Sequence, residues 1–471
     1  MFPRHSTLLI SSCRKCFHSI VHRSWCSQPV PSKRNLKSVS KDQGAVSANR
    51  LEKEVRHFFK EIGSESILSQ LPTELLNQRP KQTDCLYIAT AECASIVRQH
   101  VTAGLSADAL LAEVNPGPGL LTRELLKDGV QRLMLVEDDE QFEPVLRSLM
   151  ATYRDVDWSL KVANFNGHWR QVYYDSEDSR RKLQDLLEGM PRKRWKDEPN
   201  IRLFSIVDST RFFKAMMGCL ANQTGLFSRG RCEMVLVLPP LVYVQLTCTK
   251  AAGYAMYRQQ SVMFQLLFEH ELLGTIPRRH ILPWAAKPPK RKIRSERQPY
   301  EQTQQDEWYL MRIVPRKDLH DFCLPDDLKL LRFFVYQHLI SRTNRIIPAL
   351  EKWIPYCGCR LILNQNYVPS IASAADKDQQ LPFYLPKSLP LRRNDYPERV
   401  TIFTKFGELT PSQILTIFND FISWPEFRQS AFVQSAEQNQ LRPMSLTKRS
   451  SSDAIAADED DEREVEKHPT R

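Results

Sequence analysis

Apolar residues fall into two recurring arrangements in most of this chain. Short apolar runs predict buried strands, and longer segments with an apolar residue every three or four positions predict amphipathic helices. The runs LLAEV, RLMLV, LKVAN, IRLFSIV and CEMVLVL follow one another, and helical segments such as FEPVLRSLMATY and RFFKAMMGCLA lie between several of them. Strands that alternate with helices indicate an α/β fold, with a mostly parallel sheet covered by helices on both faces.

Changes in this pattern predict four parts of the chain. They are a basic arm at residues 1–50, an α/β domain at 51–318, a small helical C-terminal domain at 319–430 and a disordered acidic tail at 431–471. Two polar or basic segments, 175–200 and 287–307, interrupt the α/β domain, and we interpret both as surface insertions. WYLMRIVPR, directly after the second insertion, predicts a strand that returns to the sheet.

The charge distribution suggests a location and a partner. Residues 1–41 contain eight Lys or Arg and no Asp or Glu, together with many Ser, which is typical of a mitochondrial presequence. A disordered basic arm is the alternative interpretation. The 471 residues have a net charge of +11, which favours a polyanionic partner, nucleic acid first. A basic soluble protein without such a partner also fits this charge.

Cysteines and apolar segments limit the other classes. The eleven cysteines lack paired metal-ligand spacing, so we predict neither a zinc site nor a disulfide framework. The longest apolar candidate, MVLVLPPLVYV, is interrupted by Pro239 and Pro240. A membrane helix needs about 18 or more apolar residues, so we predict no membrane span. We expect a monomer.

A glycine-rich turn follows the first apolar run. In EVNPGPG, Gly117 and Gly119 stand where backbone passes close to a bound group, and amides at the start of the next helix point into the same space. Glu137 ends the following strand, where an acid can accept hydrogen bonds from the two hydroxyls of a ribose. The pattern predicts a nucleotide-sized cofactor site. The alternatives are glycines needed only for steric reasons and a solvated Glu137 beside Asp138 and Asp139.

These motifs resemble those of the ribosomal RNA adenine dimethyltransferases, which use S-adenosylmethionine. The resemblance rests on EVNPGPG with LVEDD, on YAMYRQQSVMFQLLFE and on WYLMRIVPR, and covers roughly residues 80–350. It implies a Rossmann-like methyltransferase fold. With the basic arm, the insertions and the helical end, the chain most resembles the second paralogue of the mitochondrial transcription factor B family. In animals that paralogue serves mainly as an initiation factor for the single-subunit mitochondrial RNA polymerase.

The resemblance implies residues for the cofactor. Ile88 lies in the segment that covers the cofactor, Glu113 opens the glycine turn and Glu137 holds the ribose. Asn164 replaces an aspartate that contacts the adenine amine, and its carbonyl oxygen can still accept that hydrogen bond. The implied S-adenosylmethionine-binding set is Ile88, Glu113, Gly117, Gly119, Glu137 and Asn164.

The motif for the chemical step departs from the family. After the fourth strand the family has Asn or Asp, a residue or two, and then proline with Tyr or Phe, whereas this chain reads IVDSTRFF. Asp208 is the candidate acceptor and Phe212 or Phe213 the candidate stacking face, but the proline is missing. Arg211 would repel the cofactor's sulfonium. We therefore expect dimethylation to be weak or lost, and we favour helix core as the role of both phenylalanines.

Two basic groups are candidates for binding nucleic acid. KPPKRKIRSER contains Lys290, Arg291 and Lys292, and RKRWK adds a tryptophan among basic residues. Phosphate contacts and base stacking would explain both segments, as would a charged soluble loop. Arg342 and Arg345 in SRTNRIIPAL are predicted one helical turn apart on one face, and Arg342 matches a basic position that family members use against nucleic acid. Solvent-exposed helix charges are the alternative.

The predicted function is a transcription initiation factor of the mitochondrial matrix and nucleoid. It would assist the mitochondrial RNA polymerase by stabilising melted promoter DNA. The first alternative is S-adenosylmethionine-dependent N6,N6-dimethylation of adenines in mitochondrial small-subunit ribosomal RNA. The second is a ribosome assembly factor that binds RNA and neither methylates nor initiates transcription.

Overall fold

The structure is a computed structural model that describes residues 40–77, 85–167, 177–284, 306–363, 382–397 and 399–441. Contacts between residues divide the chain into two units, Met1–Val46 and Ser47–Arg471. Only the start of helix α1 (Ser40–Glu61) represents the first unit among the described residues. The basic arm before residue 40, the acidic run from residue 451 and nearly all of the predicted insertion 287–307 lie outside the described residues.

The described part of the second unit contains nine strands in two sheets. They are β1 (Tyr87–Ile88), β2 (Leu110–Val114), β3 (Arg132–Glu137), β4 (Asp157–Val162), β5 (Ile201–Ile206), β6 (Glu233–Leu238), β7 (Phe268–Pro277), β8 (Ile281–Leu282) and β9 (Glu307–Pro315). The main sheet has the order β4-β3-β2-β5-β6-β9-β7, and β1 pairs with β8 in a small antiparallel sheet. Strands β2 to β6 are parallel, whereas β9 runs antiparallel to both β6 and β7.

Helices connect these strands and continue after the last one. Those before β9 are α2 (Glu65–Leu68), α3 (Thr73–Asn77), α4 (Ala91–Thr102), α5 (Leu120–Lys127), α6 (Glu143–Thr152), α7 (Glu177–Leu187), α8 (Thr210–Ala221), α9 (Pro240–Thr247), α10 (Gly253–Met256) and α11 (Gln259–Leu267). Those after β9 are α12 (Leu319–Phe322), α13 (Leu328–His338), α14 (Ile346–Glu351), α15 (Cys357–Leu363), α16 (Pro411–Ser423) and α17 (Ala431–Leu441). None of the described helices is both long and apolar enough to cross a membrane.

The sheet confirms the predicted α/β class and locates the glycine turn. Strand β2 lies between β3 and β5, so the order of the strands reverses there. Open α/β sheets bind ligands in the crevice beyond the carboxyl ends of strands at such a reversal. EVNPGPG begins within β2 and continues past its carboxyl end, and therefore borders this crevice.

Alternation along the strands builds a core on each face of the sheet. In β2, Ala112 and Val114 belong to one buried cluster and Leu111 to the other, as expected when successive side chains point to opposite faces. The first cluster also includes Phe334 of α13 and Phe418 of α16. The helices after β9 thus share a core with the sheet, and the boundary at residues 318 and 319 stays a prediction.

Three segments differ from the predicted organisation. Residues 431–441, assigned to the disordered tail, form α17, whose Phe432 is buried beside Phe421 at a ring-centroid distance of 5.2 Å. The insertion 175–200 contains helix α7, which buries Leu186 and Leu187. Strand β7 was not predicted, because the apolar run continues from α11 into β7 without a proline or glycine at the junction.

Candidate functional site

The glycine turn adopts left-handed backbone at three positions. Asn115, Gly117 and Gly119 have φ values of 55°, 56° and 74°, and Gly119 is the N-cap of α5. A Cβ on Gly117 would lie 2.6 Å from the ring of Tyr87, and one on Gly119 would lie 2.7 Å from Leu149 Cδ1. Both positions therefore favour glycine, because the backbone is left-handed there and a side chain would clash with neighbouring residues. This agrees with the alternative that the glycines are needed for steric reasons.

Glu137 is buried at the carboxyl end of β3, with only 2% of its surface exposed. Its Oε2 accepts a hydrogen bond from the amide of Gly117 at 2.9 Å, and its Oε1 accepts from the amides of Asp138 and Asp139 at 3.0 Å each. Burial raises the pKa of this carboxyl to about 7, although the three amides oppose the rise. The interpretation of Glu137 as a solvated strand end is wrong.

Tyr87 of β1 closes the space between Glu137 and the glycine turn. Its hydroxyl donates to Glu137 Oε1 at 3.1 Å, and its ring packs on Gly117 and on Phe142, whose ring centroid is 5.1 Å away. With this bond Glu137 Oε1 accepts three hydrogen bonds and Oε2 accepts one, so Oε2 keeps an acceptor position. Tyr87 is a functional candidate that sequence reasoning missed, although it precedes the predicted Ile88.

The remaining predicted cofactor residues are engaged by the chain. Ile88 is buried in the core and pairs with Ile281 of β8. Glu113 is buried and accepts a hydrogen bond from the Thr122 hydroxyl at 2.8 Å, which joins β2 to α5. Burial, with a contribution from the charge of Glu137, raises the pKa of Glu113 to about 8.

The glycine turn and Glu137 together form a cradle, and Asn164 lies beside it in the loop after β4. Its Oδ1 accepts a hydrogen bond from the Gly167 amide at 2.5 Å, and its Nδ2 donates to Asp138 Oδ2 at 2.8 Å. The carbonyl oxygen expected to receive the adenine amine thus already has a donor. The exposed carboxylate of Asp138 lies next to Asn164. It is a second possible acceptor for the adenine amine, and it was not predicted from the sequence.

These contacts test the fit of S-adenosylmethionine. A buried carboxylate, a left-handed glycine turn and the exposed Asp138 match the hydroxyl and amine donors of an adenosine. Asn115 Nδ2 is buried without a hydrogen-bond partner among the described residues, as expected of a donor that serves a ligand. The cradle therefore fits the cofactor in chemistry. One ribose hydroxyl could donate to Oε2 of Glu137, and a second would have to replace the Tyr87 hydroxyl on Oε1.

The motif expected to align the adenine amine has no exposed aromatic ring among its described residues, 206–213. Phe212 and Phe213 on α8 are 4% and 2% exposed, and Phe213 packs edge-on against Phe264 at 6.0 Å. Both phenylalanines belong to the helix core, the role favoured from the sequence, and neither is the candidate stacking face. Asp208 is exposed after β5. Burial of Arg278 lowers the pKa of its guanidinium to about 10, and the negative charge of Asp208 opposes this decrease.

The predicted pair of helical arginines is not a pair. Arg342 lies in a turn between α13 and α14, and Arg345 is the N-cap of α14, so the two do not share a helix face. Arg342 is 8% exposed, and its Nη2 donates to the carbonyl of Gly407 at 2.5 Å. Its guanidinium lies 5.3 Å from the ring centroid of Tyr257. Arg342 is thus a packing residue, which corrects its prediction as a nucleic-acid contact.

The other basic candidates have different environments. Arg345 is exposed, with its guanidinium 5.2 Å from the ring centroid of Phe403. Lys290, Arg291 and Lys292 lie outside the described residues. Trp195 of RKRWK stacks on His320 at 4.4 Å, so its ring is used within the fold.

In the parts of the chain that the structure describes, no three His, Cys, Asp or Glu residues are grouped as metal ligands.

Comparisons with known proteins identify the family of this chain. The family model for ribosomal RNA adenine dimethylase matches residues 94–359. Dimethyladenosine transferase 2, mitochondrial, of Drosophila melanogaster is 37% identical over 383 residues, which cover 79% of this chain and 83% of that protein. Dimethyladenosine transferase 1, mitochondrial, of Xenopus tropicalis is 30% identical over 187 residues, which cover 38% of this chain and 49% of that protein.

A solved structure, a dimethyladenosine transferase from Plasmodium falciparum, aligns with a TM-score of 0.41 and 8% identity, over 71% of this chain and 97% of its own. The family match spans more than half of the chain and includes the glycine turn, Glu137 and the degenerate motif after β5. The predicted family resemblance is confirmed: the chain belongs to the ribosomal RNA adenine dimethylase family.

Proposed function

We propose that this protein is a mitochondrial transcription initiation factor that uses a methyltransferase fold to hold melted promoter DNA. The burial of Phe212 and Phe213 carries the proposal. Methylation of an adenine amine requires the base to leave its stack and rest against an aromatic or apolar face in the pocket. A corner that has lost that face is poorly suited to the reaction, whereas binding of opened strands does not need it.

Charge and location support the same role. A net charge of +11 suits phosphate backbones, and the exposed Arg345 beside Phe403 provides a cation and an aromatic ring on the surface. The relatives from Drosophila melanogaster and Xenopus tropicalis are named mitochondrial, which agrees with the acid-free N-terminal arm. We propose the matrix nucleoid as its location, and the mitochondrial RNA polymerase and promoter DNA as its partners.

Reconstituted transcription tests this proposal. We expect the full chain to increase promoter-dependent initiation by purified mitochondrial RNA polymerase on a linear template, and to increase it less on a template that is already melted at the start site. The matched variant is Asp208→Ala, which alters the degenerate motif without altering the basic surface. It should initiate as the unaltered chain does. No stimulation on either template would contradict the proposal.

Dimethylation of adenines in small-subunit ribosomal RNA is the second candidate. The buried Glu137 at the glycine turn favours it, because the ribose acceptor of a cofactor site is still in place. Transfer of labelled methyl groups from S-adenosylmethionine to the ribosomal RNA hairpin would measure it, with Glu137→Ala as the control. Rapid, stoichiometric transfer without any effect on initiation would replace the first proposal by the second.

A further inference from the structure

A surface turn at Thr401–Thr404 presents an aromatic side chain to solvent. Phe403 is 64% exposed and borders a surface cavity of about 410 Å³. The cavity is lined by Arg345, Thr401, Phe403, Thr404, Lys405 and Glu408. An exposed phenylalanine contributes little to the core, so its ring is accessible to a molecule that enters the cavity.

Hydrogen bonds within the turn hold Phe403 in this position. The amide of Thr401 donates to Thr404 Oγ1 at 2.8 Å, and the amide of Phe403 donates to Thr401 Oγ1 at 3.2 Å. The amide of Thr404 donates to the carbonyl of Thr401 at 3.1 Å. Because these short-range bonds hold the backbone, they lower the ordering cost of presenting the ring to a bound molecule.

Backbone pairing brings a cation over the ring. The amide of Ile346 donates to the carbonyl of Thr404 at 2.9 Å, and Arg345 forms an antiparallel bridge with Lys405. The Arg345 guanidinium consequently lies 5.2 Å from the Phe403 ring centroid, within the range of a cation–π contact. Among the described residues, no carboxylate forms an ion pair with Arg345, so its charge is available to an anion.

The surroundings of the cavity are basic. Lys405 Nζ lies 3.5 Å from Glu408 Oε1, and Lys250 Nζ donates to the carbonyl of Glu408 at 3.3 Å. Arg345 and Lys405 thus stand with one carboxylate, Glu408, on the lining of the cavity, and Lys250 lies nearby with Asp395 in its electrostatic surroundings. Phosphate contacts together with aromatic stacking are the combination by which proteins hold single strands without reading their sequence.

We propose that Phe403 and Arg345 form a subsite for one unpaired nucleobase and its phosphate. The base stacks on the face of the Phe403 ring away from Arg345, and Arg345 contacts the phosphate, while Lys405, paired with Glu408, lies beside the subsite. A duplex cannot occupy the subsite in this way, because its bases are stacked on one another within the helix. This inference rests on the proposed function, since it names the part of the surface that holds the opened strand.

Binding of a short fluorescein-labelled oligothymidine, followed by anisotropy with the full chain, tests the stacking. We expect Phe403→Ala to weaken binding about tenfold, Phe403→Leu to weaken it similarly and Phe403→Tyr to preserve it, because stacking needs an aromatic ring. Tyr356→Ala is the matched control, since Tyr356 is 85% exposed but does not line the cavity. An oligonucleotide with abasic positions should bind the unaltered chain and Phe403→Ala equally.

The salt dependence of binding tests the phosphate contact. Arg345→Gln should make the slope of log K against log salt shallower by about 0.7, the value for one phosphate contact on a single strand. Arg360→Gln is the control, because Arg360 is exposed but already paired with Glu426 at 2.6 Å and 2.7 Å. Equal thermal unfolding of all the variants would exclude misfolding as the cause of any loss.

The outcomes separate this inference from the proposed function. If the unaltered chain binds the oligonucleotide and Phe403→Ala and Arg345→Gln bind it equally well, the subsite is overturned and the proposed function stands. If those variants keep oligonucleotide binding but lose stimulation of the polymerase, the surface is a protein interface and the inference is again overturned. If the unaltered chain does not bind single strands at all, the proposed function fails as well.

Discussion

At the scale of single residues, the Tyr87 hydroxyl occupies an acceptor position on the Glu137 carboxylate. The two side chains are 50 residues apart in the chain, yet they meet at 3.1 Å beside the glycine turn. A ribose hydroxyl would donate to the same carboxylate. A ribose hydroxyl that donates to Oε1 would therefore compete with the Tyr87 phenol, which β1 anchors next to that oxygen.

We predict that Tyr87→Phe increases the affinity for S-adenosylmethionine about tenfold. The substitution removes the competing donor but keeps the ring that packs on Gly117 and Phe142, and hydrogen bonds to charged groups contribute about 1.5–3 kcal/mol. Isothermal titration calorimetry would measure the change. Glu137→Ala should abolish binding with or without the tyrosine. An affinity that Tyr87→Phe leaves unchanged would show that the hydroxyl does not compete.

At the scale of elements, the turn between α13 and α14 gives two neighbouring arginines opposite roles. Arg342 points inward, where it holds the turn at Gly407, and a Cβ on Gly407 would lie 2.6 Å from Arg342 atoms. Arg345 points outward at the start of α14. A continuous helix would have placed both side chains on one face, but the chain leaves helical geometry after Leu339.

We predict that Arg342→Ala lowers the free energy of unfolding by about 2 kcal/mol, because it removes a buried hydrogen bond and the packing on Tyr257. Arg345→Ala, an exposed change in the same segment, should alter stability by no more than about 0.5 kcal/mol. Urea unfolding of both variants would measure the difference. Equal losses of stability would contradict the inward and outward assignment.

At the scale of the entire chain, buried titratable groups set how stability depends on pH. Burial raises the pKa of Glu113 from 4.5 to about 8 and that of Glu137 from 4.5 to about 7. Burial lowers the pKa values of His270 and His338 from 6.5 to about 4. His338 is suited to the neutral form, since its Nε2 accepts a hydrogen bond from Trp353 Nε1 at 3.1 Å.

The buried glutamates and the buried histidines change the stability of the fold in opposite directions as the pH changes. The folded state holds the glutamate protons more tightly, so their contribution is complete below pH 4.5 and is lost as the pH rises through about 7 and 8. The folded state holds the histidine protons less tightly, so their contribution is present above pH 6.5 and is lost as the pH falls through about 4. Stability should therefore fall on both sides of an optimum.

We predict that Glu113→Gln reduces the loss of stability between neutral and alkaline pH by about 1–3 kcal/mol. Glutamine can still accept the hydrogen bond from Thr122 but cannot ionise, so the cost of a buried charge disappears. Urea unfolding at pH 6 and pH 9 measures it, and the exposed Glu140→Gln serves as the control. A pH dependence that Glu113→Gln leaves unaltered would mean that Glu113 is already ionised without penalty.

Much of the fold follows from short-range patterns. Apolar runs predicted β2 to β6 and β9, because a strand buried between two layers of helix needs apolar residues on both faces. The glycine turn was readable for a similar reason, since a left-handed backbone after a strand favours Gly117 and Gly119. Family membership was also readable, because it depends on the order of these motifs.

The sequence did not reveal which side chains from distant parts of the chain contact one another. The contact of Tyr87 with Glu137 and the inward position of Arg342 each depend on which elements pack together. Such contacts leave no mark on the local pattern, because a buried and an exposed arginine are the same residue type in the same kind of segment. Packing between distant elements, more than the motifs themselves, therefore determined which site residues remain accessible to a ligand.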